Sequence, residues 1–406
     1  MNDIRRTILW VIFGFSMVLL WDQWQIHNGN KATFFPSPAK TAASAAAAPA
    51  GKTDTLVPAG ATQTGAAPVA PAAPAVASER FEVSTDVLKL TFDTEGGSLV
   101  RSEFLKYSDM ADKIRNFVLL DDSKDRVYLA QTGVIPGAAG GASPTHKSVM
   151  TVSGDRTLKD GQDELVITFT SPEVGGLKLV KTYTLRRGAY DIAVKHELTN
   201  ASSAALSPQL YLQLVRDGNK PAGESSFYST FTGPAVYTEA KKYQKVEFSE
   251  IKKKSATFEK EADNGYIAMV QHYFATAWIL PAGTARTYSL DGVDIGSSTA
   301  DCCYRATMIA PVPTIEPGKM QSMAATLFVG PQEEKALEAL APGLELVKDY
   351  GWLTILAKPL YWLLDKLHGF IQNWGWSIVA LVLLLKIAFY WLNAKAYASM
   401  AKMKAI

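Results

Sequence analysis

Apolar stretches near both ends of the chain constrain it more than any other feature. Residues 7–21 carry no charge and follow Arg5 and Arg6, while residues 374–392 are apolar apart from one lysine and precede Lys395, Lys402 and Lys404. Such segments need cover from water, and as a helix 374–392 reaches ~28 Å, close to the ~30 Å hydrocarbon core of a bilayer. Basic residues flanking a span stay on the cytoplasmic side. Arg5 and Arg6 therefore hold the N-terminus inside, and the three lysines hold the other end inside. With both ends inside, the chain from about residue 25 to about residue 370 lies across the membrane.

The first stretch reads as an uncleaved anchor. Signal cleavage needs small residues just after the apolar core, whereas Asp22, Gln23, Trp24 and Gln25 follow here. Trp10, Trp21 and Trp24 can sit at the interfaces and lengthen the short uncharged run. In the second stretch Trp374 and Trp376 at one end face Tyr390 and Trp391 at the other, which suits the two headgroup belts.

Between the spans, residues 39–78 are dominated by Ala, Pro, Thr and Gly, with almost nothing large and apolar to bury, and read as a flexible tether. From Phe81 onward short alternating runs appear at 87–92, 165–169, 181–185, 190–198, 210–215, 274–280 and 323–329. Turn signals such as Gly96-Gly97, Pro136-Gly137, Gly175-Gly176 and Arg187-Gly188 separate them. Many antiparallel strands with little helix between them predict a β-sandwich. The fold class expected is therefore membrane-spanning α-helices plus a large all-β domain. After Pro331 the period lengthens, and 333–340 reads as a short closing helix. A second helical stretch follows over 353–370. There Leu353, Leu356, Leu360, Leu363, Leu364, Leu367 and Phe370 recur at three and four, opposite Lys358, Asp365, Lys366 and His368. With Trp352, Tyr361 and Trp362 along it and a span directly after it, this stretch reads as a helix lying in the membrane interface, the alternative being a helix packed on the β-domain.

The domain plan is then an anchor (1–24), an Ala/Pro-rich linker (25–79), a β-sandwich (80–342), an interfacial amphipathic helix (343–372) and a second transmembrane helix (373–393). The membrane-interface residues expected are Trp352, Trp362, Trp374, Trp376 and Trp391.

Several chemistries find no support. Lys+Arg (41) and Asp+Glu (39) nearly balance, for a net charge of +2, which argues against a nucleic-acid binder. The two cysteines, Cys302 and Cys303, are too few for a disulfide framework or a Cys-based zinc site; adjacent as they are, they read as two small packed residues or a strained ring. No nucleophilic constellation, phosphate loop or metal cluster has a usable spacing, so no catalytic residue, metal or cofactor is assigned. His146, His196 and His272 have no ligand partner at i+4 and read as ordinary histidines; Lys252, Lys253 and Lys254 read as a solvated loop. The exception is Lys386, inside the second span, where an ammonium costs about 2.5–3.5 kcal/mol at the bilayer centre and less off-centre. Either its stem snorkels to the cytoplasmic interface, or it faces a water-filled cavity open to that side.

Several motifs carry a resemblance. Asp349-Tyr350-Gly351-Trp352, Lys358-Pro359-Leu360, Asn373-Trp374-Gly375-Trp376-Ser377-Ile378 and Ser399-Met400-Ala401-Lys402-Met403 resemble, in order and spacing, segments of the YidC/Oxa/Alb family of membrane protein insertases. Phe231-Thr232-Gly233-Pro234-Ala235, Gln271-His272-Tyr273-Phe274-Ala275-Thr276-Ala277-Trp278 and Val329-Gly330-Pro331 extend the likeness into the β-rich part. The resemblance implies a multi-pass protein of the bacterial inner membrane with a periplasmic β-supersandwich, an interfacial helix, and a helical core whose hydrophilic groove opens to lipid and cytoplasm. It implies a non-enzymatic role in insertion, folding and assembly. The implied partners are nascent membrane proteins, Sec translocon components, membrane lipids and the ribosome. The groove's single positive charge, usually an arginine, falls here on Lys386, which keeps the charge without the planar donor fork. Residues 394–406 then match the start of a cytoplasmic helical hairpin, and a chain ending there is expected to be a fragment or a truncated reading frame. Two other readings remain: a membrane-anchored carbohydrate-binding or mutarotase-like module, which rests on fold analogy alone, and a structural tether for Sec partners.

Overall fold

The computed structural model describes residues 77–109, 112–137, 140–221, 231–295, 302–348, 354–390 and residue 394. The expected anchor and almost all of the linker lie outside the described residues, as do Trp352, Trp391 and the three C-terminal lysines.

The described residues form two antiparallel sheets. The first runs in the order β1 (Arg80–Ser84), β2 (Leu88–Asp93), β3 (Ser98–Ser108), β6 (Val127–Ile135), β11 (Gln209–Arg216), β18 (Tyr304–Pro311), β17 (Arg286–Gly292) and β14 (Glu261–Ala262), with β4 (Asn116–Val118) on β3 and β5 (Asp121–Asp122) on β6. The second runs β13 (Lys242–Lys245), β12 (Gly233–Thr238), β15 (Tyr266–Gln271), β16 (Phe274–Ile279), β19 (Met320–Pro331), β10 (Asp191–Asn200), β9 (Leu177–Arg186), β8 (Glu164–Thr170) and β7 (Thr151–Gly154). The mostly β, sandwich-like architecture expected from the alternating runs is therefore present.

Period-two alternation explains the outer strands. Along β9, Leu177, Leu179, Lys181, Tyr183 and Leu185 point inward while their neighbours face water. The inward faces of both sheets meet in one core containing Phe92, Tyr128, Leu212 and Met308 from the first sheet and Phe169, Tyr183, Trp278 and Leu327 from the second. Two of the family-like motifs, 271–278 and 329–331, reach this junction through Phe274, Trp278 and Val329. Trp278 Nε1 donates across to the carbonyl of Gln213 at 3.1 Å, and Phe274 stacks on Phe117 with centroids 4.0 Å apart. At Gly330 a Cβ would come within 2.7 Å of Phe328 and Tyr190 side-chain atoms, so only glycine lets these rings close over the strand.

The inward-facing set on β9 includes a lysine. Lys181 is wholly buried, and its ammonium donates to the carbonyls of Gly96 (2.6 Å) and Thr132 (2.7 Å), joining the second sheet to the first. Burial alone pushes its pKa down to about 7. Beside it, His196 is held neutral by burial, its pKa pushed down to about 3, and touches Thr132 Oγ1 at 3.0 Å; His146, pushed down to about 3 chiefly by burial, meets the Tyr211 hydroxyl at 2.6 Å. Both are ordinary histidines placed in the core. Lys252, read as loop, ends a short helix, α1 (Phe248–Lys252), in which Glu247 and Glu250 form a capping box; Lys253 and Lys254 are exposed. Cys302 and Cys303 are joined to each other rather than packed as separate thiols, and they lie against Val293 and Ile295 on the outer face of the first sheet.

The outer face of the second sheet is half covered. A short helix, α2 (Glu334–Leu340), and a 3-10 turn (Leu344–Val347) set Leu337, Leu344 and Val347 on Ala235, Tyr266, Ala268, Ala275 and Ala277. Small alanines on the strands allow that close approach. Gly343 takes φ +75°, and a Cβ there would strike the Tyr237 ring at 2.1 Å.

Candidate functional site

Two helices follow the sandwich, α3 (Thr354–Ile371) and α4 (Trp374–Ala388). α3 overlaps the amphipathic stretch read from periodicity, and Pro359 lies within its first turns. The corner between the helices is built by four short-range contacts. Gln372 takes φ +56°, its N–H closing back on the carbonyl of His368 at 2.7 Å. Asn373 caps α4 by accepting from the Trp376 N–H at 3.2 Å, and Ser377 Oγ donates back to the Asn373 carbonyl at 2.7 Å. The His368 ring stacks on Trp374 at 3.7 Å. Part of the Asn373–Ile378 motif is thus a helix-start signal.

The polar side of α3 is more than a wet face. Asp365 accepts from the Lys335 ammonium at 2.8 and 2.9 Å, and that hydrogen bond holds its carboxyl below the ordinary carboxylate value. Lys348, 3.6 Å from Glu334, lies over the Tyr361 ring at 4.0 Å. Polar contacts therefore tie α3 to α2, while Leu356, Trp362 and Phe370 stay exposed. Sequence reasoning placed Asp365 and His368 opposite the apolar positions but could not supply their partners, because Lys335 is thirty residues away and the Trp374 contact depends on the turn between the helices.

α4 is apolar almost all the way round, yet only Ser377 on it is buried. Trp374, Trp376, Ile378, Val379, Val382, Leu383, Leu384 and Ile387 are each exposed by 43% or more. A helix of this composition is at home in the core of a large protein or in a membrane, not in water. Its described length is 15 residues, ~22 Å at 1.5 Å per residue. Among the described residues no helix is long and apolar enough to cross a membrane. Lys386 lies in the last turn of α4, ~18 Å along the axis from Trp374. It is exposed and, among the described residues, makes no ion pair or hydrogen bond. Of the expected interface tryptophans, Trp362, Trp374 and Trp376 are 61%, 49% and 66% exposed; Trp352 and Trp391 lie outside the described residues.

The family model described as the YidC periplasmic domain matches residues 80–363. The membrane protein insertase YidC of Bordetella parapertussis is 50% identical over 418 aligned residues, covering 100% of this chain and 72% of that protein. That of Cupriavidus necator is 49% identical over 408, covering 99% and 71%. Among solved structures, a putative aldose 1-epimerase from Escherichia coli K12 covers 63% of this chain and 99% of its own at 10% identity and a TM-score of 0.38. A galactose mutarotase-like protein from Clostridium acetobutylicum gives the same coverage and identity with a TM-score of 0.39. Such low scores carry no argument, and the carbohydrate reading is not favoured.

Proposed function

Because the chain belongs to the YidC family of membrane protein insertases, whose role is non-enzymatic and whose sandwich is the periplasmic domain of a bacterial inner-membrane protein, we propose that α4 forms one wall of a hydrophilic groove and that Lys386 supplies the groove's positive charge. The observation that carries this reading is a helix apolar on every side with a single cation in its last turn, exposed to its surroundings. Covered by lipid alone, that ammonium would cost kilocalories. Covered by a wet groove, it becomes useful: opposite unit charges ~4 Å apart attract by about 4 kcal/mol at an effective dielectric of 20.

In this mechanism the groove lowers the barrier for a polar terminus or short loop to move part-way across, while the apolar span of the substrate slides into lipid. Lys386 transiently attracts acidic residues of that segment. In the proposed topology residues 1–24 and 373–393 span the membrane, both chain ends are cytoplasmic, and α3 lies in the periplasmic interface with Trp352, Trp362, Trp374 and Trp376 at headgroup level and Trp391 at the opposite belt. Nascent membrane proteins are the substrates, and Sec translocon components, lipids and the ribosome are the proposed partners. The test is insertion of a single-span substrate with an acidic leader by Lys386 variants of the full-length protein. Lys386→Glu is expected to lower insertion by about tenfold or more, the factor that ~1.4 kcal/mol represents, and Lys386→Arg to retain it. Equal insertion by Lys386→Glu and the unaltered protein would overturn the assignment.

A further inference from the structure

The sandwich leaves few large apolar side chains in water, and three of them gather at one end. Ile114, in the β3–β4 loop, is 96% exposed; Tyr273, at the β15–β16 turn, is 54% exposed; Leu105, near the end of β3, is 39% exposed. Hydrogen bonds hold this end in place. The Asp109 carboxylate accepts from the Asp112 N–H at 3.0 Å and the Asp112 carboxylate from the Ile114 N–H at 3.1 Å, which fixes the backbone leading into Ile114. Tyr107, two residues beyond Leu105, donates its hydroxyl to Glu333 at 2.9 Å. Gln332 donates to the carbonyls of Gln271 (3.1 Å) and Phe274 (3.0 Å), and its own N–H bonds the Tyr273 carbonyl at 2.8 Å. Both tips therefore sit beside the start of α2, and two residues further on Lys335 holds Asp365 of α3.

We propose that this end of the sandwich is a second membrane contact of the periplasmic domain, with Ile114 and Tyr273 set into the headgroup region of the outer leaflet next to α3. The inference rests on the reading of α3 as an interfacial helix, since that reading says which end of the sandwich faces the bilayer. Charge favours lipid as the occupant. Lys106 and Lys113 flank the apolar tip and are exposed, while Arg115 pairs with Asp112 at 3.2 Å; with Asp109 and Asp112 in the same loop, the tip keeps a small positive excess, which suits anionic headgroups. A tyrosine with its ring exposed at a turn is the residue type that partitions to such an interface. The opposite end supplies a control: Met320, 55% exposed, begins β19, whose other end, Pro331, adjoins Gln332. At the rise of an antiparallel strand that places it ~37 Å away.

The test uses the full chain in vesicles of zwitterionic and anionic phospholipid. Ile114→Cys, Met320→Cys and Trp362→Cys each carry a fluorophore, with quenchers either on the shallow part of lipid chains or dissolved in water. Lipid-borne quenching is expected at 362 and 114, and at least severalfold weaker at 320. Quenching at 362 without quenching at 114 overturns the second contact and leaves the interfacial helix standing. Absence at 362 removes the helix reading and this inference with it. A label at 114 shielded from both quenchers indicates a protein partner and overturns the lipid assignment, as does quenching at 320 equal to that at 114.

Discussion

Trp278, Phe92 and Leu327 of the sandwich are wholly buried, whereas Trp376, Val379, Leu383 and Ile387 of α4 are each more than half exposed. One region satisfies its apolar side chains internally, through two sheets that face each other and a helix laid over part of the second. The other presents an apolar surface that a bilayer or neighbouring helices must cover. The difference teaches that the two regions answer to different solvents, and so to different perturbations. Sandwich stability should respond to cavities and buried charge; the helices should respond to lipid and to the single charge on α4.

The largest effect expected is from Trp278→Ala, which removes a buried ring and its hydrogen bond to Gln213. It should destabilise the sandwich by about 3–5 kcal/mol, read as a lowered denaturant midpoint for protein in nanodiscs. Leu383→Ala, on exposed α4, should leave that midpoint in place. Equal losses from both would break the contrast.

The next effect is on pH dependence. Lys181 is held down to about 7 by burial, against about 10.4 in an unfolded chain. Between those values the unfolded state binds more protons, so sandwich stability should rise with pH from about 7 to about 10 and be lost as pH falls through 7. Below about 6.5, His196 and His146 add to the loss, because both are depressed to about 3 by burial. Lys181→Met should flatten the slope above pH 7 while leaving the acid limb. A slope unchanged by Lys181→Met would contradict the buried-ammonium account.

The smallest effect belongs to the joint between the regions. Lys335 and Asp365 are exposed enough for solvent and salt to screen them. Asp365→Asn should speed amide exchange in α3 slightly at low salt and not at all at high salt, without moving the sandwich midpoint.

Particular elements show where the sequence spoke clearly. β9 and β10 alternate buried and exposed residues and could be read directly. β6 and β18 are buried on both faces, so they show no alternation, and β6 carries Gln131, Thr132 and Gly133. β12 holds Pro234, which ordinarily argues against a strand between two neighbours, yet it pairs with both β13 and β15. Lys386, the proposed groove charge, stands out in the sequence because a lone charge in an apolar stretch needs a reason. The proposed rim of Ile114 and Tyr273 does not stand out there, because two loops far apart in sequence become neighbours only in the fold, where Phe274 stacks on Phe117 and where Tyr107 and Tyr273 meet Glu333 and Gln332.

The groove reading is tested most directly by the accessibility of position 386 in intact, membrane-embedded full-length protein. Lys386→Cys should react with a membrane-impermeant thiol reagent confined to the cytosolic side, while Val379→Cys, two turns earlier on α4, should not. Protection of position 386 to the same degree as position 379 would mean that no water reaches the charge, and the proposed groove would have to be abandoned.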